Sequence, residues 1–103
     1  MADFDGLGEN QKALLRWLAD RPEGQASYYQ VWCWYMELSQ PDYPNMTELK
    51  QARLRPLMNR SLWGLLRSLV KRGLILVVPS SDGKQIDVVR LRVTRSDVLV
   101  AVE

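Results

Sequence analysis

Histidine is absent from this chain, and cysteine occurs once, at Cys33. The first absence excludes Ser-His-Asp and Cys-His catalysis and any histidine-ligated metal. The second excludes an internal disulfide and a thiolate zinc site, and it fits a reducing compartment. No apolar run approaches the ~18 residues of a membrane span. No basic stretch followed by an apolar one opens the chain as a secretory leader would. The expectation is a cytoplasmic, intracellular protein with no membrane, no metal and no cofactor. Carboxylate or lysine chemistry is all that remains for catalysis, and no motif for either is present. A non-catalytic protein with no catalytic residue is expected.

Acidic side chains are missing from the whole stretch between Lys50 and Ser81. That gap exposes an asymmetry beneath the net charge of +2. Residues 1–48 hold three bases against eight acids, and residues 49–95 hold eleven bases against two. Ten of the fourteen bases are arginine, the cation whose planar fork suits phosphate and guanine. A basic half of this kind is the electrostatic footprint of a nucleic-acid binder. The plainer reading is a solvated surface whose bases pair with the acidic half.

The 103 residues suffice for one modest core and not for two. Residues 1–6 read as a loose, acidic end. Leu7, Leu14, Leu15 and Leu18 recur at helical spacing with Gln11 on the same stripe, which predicts a helix over about 8–20. Ser27 is suited to cap a second helix over 27–39. Tyr28, Val31, Trp32, Tyr35 and Leu38 form its main face, and Tyr29, Trp34 and Met36 spill onto the others. Asn45 with Glu48 resembles a capping box for a short helix over 46–54. Pro56 either ends that helix or opens the next one. Asn59 or Ser61 caps a third main helix over 59–72, buried along Leu62, Leu65, Leu66, Leu69 and Val70, with Gly73 as its stop.

Leu74–Val78 reads as a buried strand, and Asp82-Gly83 as a hairpin turn. Ile86–Thr94 is the return strand. There Val89, Leu91 and Val93 alternate with Arg90, Arg92 and Thr94, giving one apolar and one basic face. A phase shift between Val88 and Val89 suggests a bulge. Residues 96–103 form a C-terminal extension that reads equally as a helical turn capped by Ser96-Asp97 or as a strand through Val98, Val100 and Val102.

Helices followed by a hairpin, with the run Ser61-Leu62-Trp63-Gly64-Leu65-Leu66-Arg67-Ser68-Leu69-Val70-Lys71-Arg72-Gly73-Leu74-Ile75, resemble the winged-helix (winged helix-turn-helix) superfamily over residues 7–95. The spacing, with Tyr28-Tyr29-Gln30-Val31-Trp32 in the second helix, is similar to the C-terminal winged-helix domain of archaeal origin-recognition initiators and to small transcriptional regulators. The resemblance implies a mainly α fold, α+β overall, with three to four helices and a two-stranded wing. It also implies non-catalytic binding of double-stranded DNA, in transcription regulation or in replication or plasmid control.

On that reading Arg60, Ser61, Gly64, Arg67, Ser68 and Lys71 face the major groove, and Lys84, Arg90 and Arg92 on the wing hold phosphates. Lys50, Arg53, Arg55, Arg72 and Arg95 are weaker candidates for the phosphate backbone. Gly64 in mid-helix costs ~1 kcal/mol relative to alanine, which a close approach by another backbone would explain. Tyr29, Trp34 and Met36 are the expected contact with a second copy or a protein partner. The aromatic block is also suited to stacking single-stranded bases, although it sits in the acidic half. Trp63 is expected partly buried, and Cys33 buried and inert. The competing function is a protein-interaction module built on the aromatic helix. It gains if residues 40–58 cover the polar face of the third main helix.

Overall fold

A computed structural model describes residues 2–102. In chain order the elements are α1 (Glu9–Ala19), β1 (Gln25–Ser27), α2 (Tyr28–Ser39), α3 (Glu48–Lys71), β2 (Ile75–Pro79), β3 (Ile86–Leu91) and α4 (Arg95–Val102). The fold is α+β, with four helices and a three-stranded antiparallel sheet in the order β1-β3-β2.

Leucine dominates the core. Leu14, Leu15 and Leu18 from α1 meet Leu62, Leu66 and Leu69 from α3, and all six are fully buried. Val31, Tyr35 and Met36 close the core from α2, and Ile75 and Val89 close it from the sheet. Burying each such side chain contributes ~1.5–3 kcal/mol. That contribution is what fixes the helical stripes.

α1 and α2 begin and end within a residue or so of the expected positions. Gly8 opens α1, its N–H donating to Gln11 Oε1 at 2.8 Å. The Ser27 hydroxyl caps α2 by accepting from Gln30 N at 3.2 Å. The buried face of α2 is rotated from the expected one: Met36 turns inward and Leu38 is left half-exposed.

The largest departure is α3. The expected pair of helices is one helix of 24 residues with Pro56 inside it. Its cap is neither Asn45, Asn59 nor Ser61. Thr47 Oγ1 accepts from Lys50 N at 3.3 Å and starts the helix there. Tyr43–Asn45 form a separate single 3-10 turn. Proline in a helix interior removes one hydrogen bond, the one its N–H would give the carbonyl four residues back, here Ala52. Ala52 and Pro56 are both exposed, so water reaches the freed carbonyl and the helix continues. Gly73, with φ of 74°, stops it as expected. There Leu74 N donates to Leu69 O at 3.1 Å, closing the end in the manner of a Schellman turn.

The hairpin forms as expected, with Gly83 at φ of 72° in its turn. Its irregularity falls one step earlier than the expected bulge. Val78 faces Val88 while Pro79 faces Ile86, leaving Asp87 as the extra residue. β1 adds a third strand beyond the expected two, with Ala26 opposite Val89. The C-terminal segment is a helix. Thr94 Oγ1 accepts from Asp97 N at 3.1 Å, and Val98 is buried in the common core.

The N-terminal segment is tied down rather than loose. Asp3 N donates to Arg72 O at 3.0 Å, and Phe4 packs on the core. Met1 and Glu103, the outermost residues of the two terminal segments, lie outside the described residues.

Candidate nucleic-acid interface

Because α3 is unbroken, residues from two expected helices share one face. Lys50, Arg53, Leu57, Arg60, Gly64, Arg67 and Lys71 follow each other in steps of three and four. At 3.6 residues per turn those steps stay within about 100° of arc, and they span about 32 Å of helix. All seven are exposed. The buried stripe of Met58, Leu62, Leu66 and Leu69 lies on the opposite side. The result is a straight row of five bases with no acid in it.

Among the described residues these bases form no ion pair. Among the described residues the ion pairs join Arg72 to Asp3 at 3.8 Å and Arg95 to Asp20 at 3.4 Å. The five stripe cations take no part in them. The acidic half therefore does not neutralise the stripe.

Within the stripe, an added Cβ at Gly64 would meet nothing within 4 Å. Folding does not require glycine there. Arg67 lies over the Trp63 ring, 6.0 Å from its centroid, and Trp63 is 37% exposed.

Several expected contacts turn inward instead. The Ser61 hydroxyl lies 2.5 Å from the Tyr35 hydroxyl. The Ser68 hydroxyl donates to Leu65 O at 2.7 Å and accepts from Gln11 Nε2 at 2.9 Å. Arg72 donates to the carbonyls of Asp3, Asp5 and Gly6, holding the N-terminal segment. Ser61, Ser68 and Arg72 are thus structural ties between elements at the edge of the free stripe, and Ser61 remains exposed. Arg95 is engaged with Asp20 at the start of α4. Arg55 Nε donates to the Tyr43 hydroxyl at 3.1 Å, and Arg55 remains exposed.

On the hairpin, Lys84, Arg90 and Arg92 are all exposed. Arg90 stands between Gln25 on β1 and Leu76 on β2, on the face opposite buried Val89. Lys84 lies at the hairpin tip and, with Tyr28, Asn59 and Trp63, walls a cleft of about 350 Å³. The tip therefore meets the middle of α3.

The aromatic helix divides differently from the expected partner surface. Met36 is buried and not free for a partner, whereas Trp34 is half-buried and stacks on Trp17 with centroids 5.5 Å apart. Tyr29 is 74% exposed. Cys33, expected to be buried, is exposed. Its hydrogen bond to the Tyr29 hydroxyl, then its charge, raises the pKa of that tyrosine. Burial raises the pKa of Tyr28, whose hydroxyl donates to Asn59 Oδ1 at 2.8 Å. The Tyr28–Asn59 link was missed from sequence because nothing in the spacing relates two residues on different helices.

No helix of the described residues is long and apolar enough to cross a membrane. Among the same residues no group of three or more acidic or cysteine side chains gathers to hold a metal. Comparison with protein-family models, curated proteins and solved structures finds no match to this chain.

Proposed function

We propose that the protein is a winged-helix domain that binds double-stranded DNA without catalysis, with α3 as the reading helix and the β2–β3 hairpin as the wing. The observation that carries this is the unpaired row Lys50, Arg53, Arg60, Arg67 and Lys71 on one exposed face of a single helix. The order helix, strand, helix, helix, hairpin supports the winged-helix reading. The protein-interaction alternative gains if residues 40–58 cover the polar face of α3. Residues 48–58 instead extend that helix and add cations to the face. A role in transcription regulation or replication fits such a module.

Arg60 and Arg67 are the residues for base edges, where a bidentate fork reads guanine O6 and N7. Lys50, Arg53, Lys71, Lys84, Arg90 and Arg92 suit phosphates. The test is fluorescence anisotropy with a labelled random 30-base-pair duplex at several salt concentrations. Neutralising those six phosphates gives a log–log salt slope of about −5, at ~0.9 per phosphate. Arg60→Ala/Arg67→Ala is expected to weaken binding, and Lys50→Ala/Arg53→Ala, which removes two phosphate contacts, to flatten that slope by about 2. Absence of binding at low salt, where non-specific attraction is strongest, overturns the proposal.

A further inference from the structure

The sequence sets the aromatic block in the acidic half, which argues against any contact with a polyanion. The fold changes its neighbours. Between the first turn of α2, the middle of α3 and the hairpin tip lie two adjoining lobes that share Tyr28, Asn59, Gln85 and Ile86 as walls. The first, about 350 Å³, adds Trp63 and Lys84. The second, about 410 Å³, adds Tyr29, Trp32 and Arg55. Both fall within the ~300–1,000 Å³ of small-molecule clefts. Aromatic rings from the acidic half thus stand beside cations from the basic half.

From this arrangement we infer that the cleft binds unpaired bases of a single-stranded nucleic acid. The inference stands apart from duplex binding by α3. Trp63 and Tyr28, with centroids 6.5 Å apart and rings inclined at 40°, are not stacked on each other. Arg67 lies over the Trp63 ring, and both rings line the cleft that a base would enter. Stacking of this kind tolerates any sequence, because every base has a π face. A base inside a duplex hides both faces against its neighbours, so only an unpaired one fits.

The polar groups suit the same occupant. The Asn59 carbonyl is taken by the Tyr28 hydroxyl, which leaves its NH₂ to donate to a base edge. The Gln85 amide faces the same lobe. Arg55 spends its Nε on Tyr43, and its two terminal nitrogens remain for a phosphate. Arg55, Lys84 and Arg67 over Trp63 outnumber the one carboxylate at the cleft, Asp87. That charge balance attracts a phosphate backbone.

The experiment titrates the full chain with a twelve-nucleotide oligo-dT, reading tryptophan quenching and anisotropy, alongside a twelve-nucleotide oligo-U and the 30-base-pair duplex. Oligo-dT or oligo-U is expected to bind at low salt and to quench tryptophan. The two strands differ in the sugar and the thymine methyl, and their ranking assigns the cleft to DNA or to RNA. Trp63→Ala and Tyr29→Ala are expected to weaken single-strand binding roughly 5- to 100-fold each, and Tyr29→Ala, on α2, to leave duplex binding within about twofold. Trp63→Phe, which keeps a ring, restores most of the loss. Tyr29 is largely exposed, so its variant folds whatever happens at Trp63.

Duplex binding without single-strand binding overturns this inference alone. Single-strand binding without duplex binding upholds it while the duplex reading falls. Equal losses for both nucleic acids in Tyr29→Ala overturn it, as does displacement of oligo-dT by polyglutamate at equal charge concentration.

Discussion

Gln11 on α1 donates its side-chain N–H to the Ser68 hydroxyl on α3 at 2.9 Å, joining positions 57 apart in the chain. The same Gln11 accepts from Gly8 N and so holds the start of α1. Ser68→Ala breaks the link and leaves Gln11 without its partner. The expected outcome is a loss of about 1 kcal/mol in urea unfolding with duplex affinity unchanged. Arg67→Ala, one residue earlier on the free stripe, is expected to do the reverse. If Ser68→Ala weakens DNA binding as much as Arg67→Ala does, the hydroxyl has been misplaced.

Pro56 interrupts the hydrogen bonding of α3 well inside the helix, on the solvent side. Alanine there restores the Ala52 bond and removes the ring. Proline is about 3 kcal/mol less favourable than alanine in a helix interior. Pro56→Ala is therefore expected to raise stability by about 1–3 kcal/mol, read by chemical denaturation, with more helical ellipticity.

Gly64 separates two effects that usually move together. Alanine fits, because nothing stands within 4 Å of its Cβ, and it is worth about 1 kcal/mol of helix stability. On the binding face the same methyl stands between the helix and the groove. Gly64→Ala is expected to unfold at higher temperature in calorimetry and to bind duplex more weakly. Equal or tighter binding would show that no partner comes close there.

The hairpin turn has a pH dependence of known sign. Asp82 has a pKa below the ordinary carboxylate value, chiefly through its bond from the Ser80 hydroxyl and then through Lys84 N, which donates at 3.0 Å. A lowered folded pKa means the contribution is present above the unfolded value, about 3.9. It is lost as pH falls through the folded one. Amide exchange at Lys84 is expected to quicken at the acid end of that range. Asp82→Asn is expected to abolish this dependence while the rest of the fold is unchanged.

Periodicity made the extents of α1 and α2 and most of the buried stripe of α3 legible, because apolar side chains at steps of three and four must share a face, although Val70, expected in that stripe, is 36% exposed. Gly73 was readable for its left-handed backbone, and Asp82-Gly83 for its turn. Pro56 misled for a physical reason: proline penalises a helix locally, and the packing of Met58, Leu62 and Leu66 outweighs that penalty. β1 has three residues, too few to show alternation, and exists because β3 offers it an edge. The valines at 98, 100 and 102 alternate like a strand, yet Thr94 caps a helix there and leaves Val100 82% exposed. At the candidate interface the cations were readable from charge alone. Which polar side chains were already engaged was not, since Ser61, Ser68 and Arg72 are used by residues 26 to 69 positions away.

The unbroken α3 also sets a mechanical condition. A helix of 24 residues is a rod about 36 Å long, and the major groove of a straight duplex winds away from such a rod well before its end. On the proposed reading, the full stripe would engage a duplex only if the duplex curved to follow it. Bending energy would then enter the binding constant, and pyrimidine–purine steps, which kink readily, would become favoured targets even where no side chain reaches a base. Such a rod would select by the flexibility of its partner as much as by its sequence.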